Sequence, residues 1–183
     1  MRSILTLPHP ALRAVAREIP PKDISSPRIR RLIADMKSAL AAAPDGVGLA
    51  APQVGESLRL FIVSEEATTI DSTRPSTQDE KTGARRAWAH HVFINPVLVK
   101  SARRKTAMAE GCLSLPGRFG EVARSEKVAL SWLDEEGKRH SRGFTKFFAR
   151  VIQHELDHLD GLLIADRAKR LVAIPKEKPT AAG

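Results

Sequence analysis

Gln153-His154-Glu155-Leu156-Asp157-His158 is the stretch around which the chain is organised. Its two histidines stand four positions apart, with a carboxylate beside the first. On an α-helix, positions i and i+4 share a face. Both imidazoles can then hold one metal ion from the same side, with Glu155 next to it. In the His-Glu-x-x-His arrangement the histidines bind the metal and the glutamate moves protons. The flanking residues predict that helix. Thr145 suits the N-cap, and Phe148, Val151, Ile152, Leu156 and Leu159 recur at helical spacing. Gly161 suits the end of the helix.

Upstream, the pattern changes from helical to extended. Residues 58–63 are apolar and β-branched, and so read as a strand. Two short strands, 92–94 and 97–100, are expected on either side of Asn95-Pro96. Residues 122–133 alternate roughly and read as one strand. Asp134-Glu135-Glu136-Gly137 reads as a hairpin turn, with the return strand starting at 138–141. An earlier helix is capped by Ser26 and opened by Pro27. Its Ile29, Leu32, Ile33, Met36 and Leu40 form an apolar side, and it stops by Pro44. A further short helical piece is expected at 11–16. Together these elements predict an α+β fold: mostly antiparallel sheets packed around a central C-terminal metal-binding helix, with a second helix near the N-terminus. Residues 1–170 are expected to form a single catalytic domain. Polar, aperiodic 64–90 reads as an inserted surface loop, and proline-bearing 171–183 as a flexible tail.

Composition narrows the function. A chain of 183 residues suits one domain. No apolar run reaches 18 residues, so no membrane-spanning helix and no membrane partner are expected. Pro8, His9 and Pro10 interrupt the N-terminal apolar runs, which argues against a signal peptide and makes the cytoplasm the default. The one cysteine, Cys112, rules out an internal disulfide and fits a reducing compartment. The net charge of +9 suits a solvated basic surface or attraction to nucleic acid or the ribosome. With no tyrosine and 4% aromatic residues, base-stacking platforms are scarce, so no direct nucleic-acid function is expected.

A metal with one open position needs a third protein ligand. His9, His90, His91, His140, Cys112 and the carboxylates are all candidates, and spacing alone leaves the choice open. The loop 46–55, Gly-Val-Gly-Leu-Ala-Ala-Pro-Gln-Val-Gly, lacks both the P-loop ending and the dinucleotide glycine spacing. Its small residues let backbone approach a ligand closely, and Gln53 offers an amide.

Three segments resemble, in order, the three motifs of the peptide deformylases: Gly46-Val47-Gly48-Leu49-Ala50-Ala51-Pro52-Gln53, Glu110-Gly111-Cys112-Leu113-Ser114 and Gln153-His154-Glu155-Leu156-Asp157-His158. The similarity runs from the N-terminus to about Arg167, the insertion apart. The resemblance implies a metal-dependent hydrolase that takes the formyl group from N-formyl-methionine at the start of new polypeptides, releasing formate. It implies Cys112, His154 and His158 as ligands of one divalent ion, with water in the fourth position. Fe2+ is the implied ion, with Zn2+, Ni2+ or Co2+ able to replace it. Glu155 would shuttle the proton, and the Gln53 amide and Leu113 N–H would stabilise the oxyanion. Gly48 would pair with the substrate backbone. Val47, Phe147 and Val151 are candidates for the methionine pocket, and Glu110 for positioning the Cys112 loop. Arg150, one helical turn before His154, reads as a solvent-facing side chain rather than a pocket residue. An internal-bond metallopeptidase or a non-catalytic peptide-binding relative would be the alternatives. Neither requires Cys112 and Gln53 together with the intact His-Glu-x-x-His.

Overall fold

The computed structural model describes residues 2–43, 45–70 and 88–173. Helix α1 (Pro27–Ala41) is followed by strands β1 (Gly48–Ala50), β2 (Leu60–Ser64), β3 (His90–Ser101), β4 (Lys105–Gly111), β5 (Arg118–Ser125), β6 (Lys127–Leu133) and β7 (Arg139–Thr145). Helix α2 (Lys146–Leu159), a one-turn α3 (Ile164–Arg167) and strand β8 (Leu171–Ala173) complete it. Five strands pair in the order β1-β2-β3-β6-β7 and three in the order β4-β5-β8, all antiparallel. The α+β architecture expected from the sequence is the one observed.

The larger sheet is covered on both faces, and β2 shows why its sequence is apolar without alternation. Phe61 and Val63 join Phe148, Val151, Ile152 and Leu156 of α2 in one core cluster. Leu60 and Ile62 join Ile29, Leu32, Ile33 and Met36 of α1 in another. A strand buried on both faces reads as a continuous hydrophobic run. Stacked Phe61 and Phe93, 4.7 Å between centroids, anchor the α2 side. The smaller sheet has its own cluster, in which Leu115 and Val122 meet Leu163 and Ile164. Helix α2 lies between the two sheets: opposite its packing on the larger sheet, Gln153 bonds the Ser125 backbone of β5 and Arg150 the Thr106 carbonyl of β4.

Several local expectations are met. The Ser26 hydroxyl caps α1 by accepting from the Ile29 N–H, and Pro27 opens it. In the 134–137 hairpin turn, Gly137 has φ of 81°, and Asp134 Oδ1 accepts from the Glu136 and Lys138 N–H groups. Thr145 stands at the N-cap of α2, but its side chain makes no capping bond.

Others are corrected. Residues 92–100 form one strand, because β3 runs through Asn95-Pro96 with a register shift between Ile94 and Val97. Asn95 carries the irregularity at φ 47°. Its side chain accepts from the Ile19 N–H and donates to the Ile19 carbonyl, both at 2.8 Å. Residues 122–133 are not one strand but the end of β5 and all of β6, in different sheets, parting at Glu126. The 11–16 piece is a 3-10 turn at Pro10–Leu12. The supposed tail opens as β8, with Leu171 packed on the Leu115–Val122 cluster, so structured chain continues past 170. Of the expected insertion, Ser64 ends β2, a 3-10 turn spans Glu65–Thr68, and His90 opens β3. Residues 71–87, Pro44 and 174–183 lie outside the described residues.

Asn95→Ala removes both bonds to Ile19 and places a Cβ-bearing residue without side-chain compensation at positive φ. A loss of about 2 kcal/mol is expected from the unpaired backbone groups, measured by urea unfolding.

Candidate metal centre

Two elements converge beneath the larger sheet. Strand β4 delivers Glu110 and then the Cys112 loop, and α2 delivers His154 and His158. The ligand atoms of Cys112, His154 and His158 all lie within 4.8 Å of one another. Cys112 Sγ is 3.3 Å from His158 Nε2, and the two imidazoles stand edge to face with centroids 5.0 Å apart. His154 Nδ1 is 3.1 Å from Glu110 Oε2, which leaves Nε2 to face the cysteine and His158. One thiolate and two imidazoles on one side of a point suit a single four-coordinate divalent ion with an open position. Glu155 fits the same centre, since its Oε2 is buried without a protein hydrogen-bond partner among the described residues.

The other histidines weighed as ligands are elsewhere. His140 lies 2.6 Å from Asp134 Oδ2 and stacks on Trp132. His9 accepts from the Ala11 N–H, and His91 lies near Glu65.

The electrostatics sort the groups. Burial lifts the Glu155 carboxyl to a pKa of about 7, against the pull of His154 and Arg124. A carboxylate poised near neutrality suits a proton shuttle. Burial pushes His158 well below its usual range, helped by the His154 and Arg124 charges, and so favours the neutral ring that metals bind. For His154, burial works downward too, but hydrogen bonds with Cys112 and Glu110 outweigh it and raise the pKa to about 10. A metal ion must displace that proton, so affinity rises with pH.

Gln53 is buried next to the cysteine. Its Oε1 accepts from the Ala50 N–H at 2.9 Å, so its amide nitrogen points to Ser114 Oγ, 3.1 Å away, and towards Cys112 Sγ at 3.9 Å. Gly48 passes directly over the glutamate. A Cβ there would come within 2.5 Å of Glu155 Oε1 and 2.9 Å of Val151 Cγ1. Only glycine lets β1 run that close.

The sequence model described as polypeptide deformylase matches residues 1–173. The chain belongs to the polypeptide deformylase family. A peptide deformylase of Chlorobaculum parvum is 44% identical over 167 residues, covering 91% of this chain and 79% of the relative. The crystal structure of peptide deformylase from Thermotoga maritima superposes with a TM-score of 0.75 at 30% identity, covering 93% of this chain and 99% of that one. The Met-Ala-Ser-bound class I type b peptide deformylase of Acinetobacter baumannii gives 0.74 at 28% identity, covering 90% and 96%. Like its family, the chain is a metal-dependent hydrolase that removes the formyl group from the start of new polypeptides, a step in protein biosynthesis.

Within this deformylase scaffold the remaining predicted residues divide. Val151 is buried, with Val47 and Phe147 partly buried against the same cluster. The Leu113 side chain packs towards α1, so any role at the metal falls to its backbone. Glu110 is buried, and its carboxylate bonds run to β5 and α2. It accepts from Arg124 Nε and Nη2 at 3.1 and 3.0 Å and from Arg150 Nη1 at 2.6 Å. Arg150 is thus not solvent-facing; it is 5% exposed and points inward between the sheets. Burial alone would raise the Glu110 pKa, but hydrogen bonds from His154 and Arg124 outweigh it and hold it at about 2.

Sequence reasoning missed Arg124 and Asp157. Asp157 binds Arg124 on one side and Arg167 on the other. Parity along β5 could have found Arg124, which shares its buried face with Val122. Asp157 falls one turn after His154, beside the metal face.

Gly48→Ala is expected to leave the fold intact and to displace Glu155, lowering kcat about 10²-fold, as misplacements near 1 Å do. Steady-state kinetics beside circular dichroism check it. The depressed Glu110 pKa has a second consequence. Its stabilisation is complete above the ordinary 4.5 and is lost as pH falls towards 2. Urea unfolding of the metal-free protein should lose stability over that window, with a shallower fall in Glu110→Gln.

Proposed function

We propose that Cys112, His154 and His158 hold the single divalent ion, Fe2+ in the cell, with Zn2+, Ni2+ or Co2+ able to take its place. The observation that carries this is the convergence of the three ligand atoms within 4.8 Å beside the unpartnered Glu155 oxygen. When bound, the ion supplies Lewis acidity towards water and the formyl carbonyl. Glu155 Oε2 takes the proton of the attacking water and passes it to the departing amine, which leaves formate and a free N-terminus. The Gln53 amide and the Leu113 N–H donate to the oxyanion that forms on the carbonyl. Gln53 needs little reorganisation, because Ala50 already fixes which end of its amide faces the cysteine. Loss of one such donor costs about 2.7–4 kcal/mol in well-studied hydrolases.

The substrate is read as an extended chain. Among the described residues β1 pairs only with β2, so its outer edge is open to a peptide strand at Gly48. Val47, Phe147 and Val151 form the methionine pocket at that edge. The A. baumannii neighbour, solved with Met-Ala-Ser bound, supports a site built for a peptide opening on methionine. Residues 1–173 act as one catalytic domain, β8 included. The cytoplasm, where nascent chains emerge, is the proposed compartment, and the net charge of +9 supports docking on the ribosome surface.

Anaerobically purified protein is expected to release formate from formyl-Met-Ala and to leave an unformylated peptide intact. Internal cleavage of the second without formate from the first would overturn the reading. Glu155→Ala should keep its metal and lose about 10²–10⁴-fold in turnover. Cys112→Ala should lose metal, and full occupancy in that variant would sink the ligand assignment.

A further inference from the structure

Arg150 is a buried arginine that no step above uses. Its guanidinium reaches acceptors on two strands and one side chain. Nη1 donates to Glu110 Oε1 at 2.6 Å and to the Val122 carbonyl at 2.9 Å, and Nη2 donates to the Thr106 carbonyl at 2.5 Å. Thr106 lies on β4 and Val122 on β5, the strands on either side of the Cys112 loop. The arginine is therefore held from both strands while its charge is presented to Glu110.

Glu110 is the link to the metal ligands. Its Oε1 is shared by Arg150 and Arg124 Nε, and its Oε2 by Arg124 Nη2 and the His154 ring. With charged donors on both oxygens, the carboxylate cannot turn without breaking strong bonds. Its orientation in turn decides where His154 Nδ1 points, and so where Nε2 points. A buried arginine is a poor way to join a helix to a sheet, since an apolar residue of like size does so without desolvating a charge. What the fork adds is direction.

We propose that Arg150 is a positioning residue of the metal centre, acting through Glu110 on the His154 ring. The inference rests on the reading of Cys112, His154 and His158 as ligands, and the test separates the two. Co2+ is titrated into metal-free parent, Arg150→Met, Arg150→Lys, Glu110→Gln and the Arg150→Met/Glu110→Gln double variant, in competition with a chelator. The thiolate-to-cobalt absorption is followed, and metal-free melting is recorded in parallel. Arg150→Lys keeps the charge and loses the fork. Both single Arg150 variants are expected to raise the cobalt dissociation constant about tenfold or more, the scale of such supporting contacts. The double variant is expected to bind no more weakly than Glu110→Gln, within about twofold. Two results would overturn the inference while the parent band stays intact: cobalt affinities within twofold of parent, even with lowered melting temperatures, or losses that multiply in the double variant. A parent band that survives Cys112→Ala would overturn the ligand reading, and this inference with it.

Discussion

A carboxylate with four hydrogen-bond contacts to charged or imidazole groups, held away from water, is the constraint on which the structure turns. Glu110 joins Arg124, Arg150 and His154, and through Arg124 it reaches Asp157 and Arg167. These residues come from β4, β5, α2 and α3. The smaller sheet meets α2 through this network, while its own apolar cluster packs on Leu163 and Ile164. Removing one partner would strand another charge in the interior, which is far more damaging than losing a surface ion pair.

Around this polar seam the apolar packing is conventional. The larger sheet presses one face on α2 and the other on α1, with β2 buried throughout. That burial fixes the height of α2 against the sheet, and hence the distance from Glu155 to the backbone of β1. The absence of a side chain at Gly48 is the matching condition on the strand. The approach of Glu155 to Gly48 thus depends on packing set by residues far apart in sequence.

What the sequence disclosed was local. The α1 cap, the 134–137 turn and the i, i+4 histidines of α2 each have a short-range physical cause, and each is visible in the residues. The junction at Glu126 was hidden, because alternation continues through 122–133 while the pairing partner changes, and partners are not a local property. Asn95-Pro96 looked like a break, yet the Asn95 side chain supplies Ile19 with the bonds of a missing neighbour and lets β3 continue. Strand β8 exists because β5 has an edge to offer. Arg150 was misread because snorkelling assumes water on one side of the helix, and α2 has a sheet on each. Cys112 was singled out among the ligand candidates through resemblance alone; spacing left it level with four histidines and the carboxylates.

If β1 receives the substrate as proposed, its shortness limits how much of a chain the enzyme can read. Three residues of strand span about 10 Å. On the proposed reading, a peptide laid along an edge of that length would be met by N–H and C=O groups over its first residues and by little of the strand beyond them. An enzyme that acts on the starts of newly made polypeptides gains from that ignorance. A longer edge would have introduced favourites among its clients.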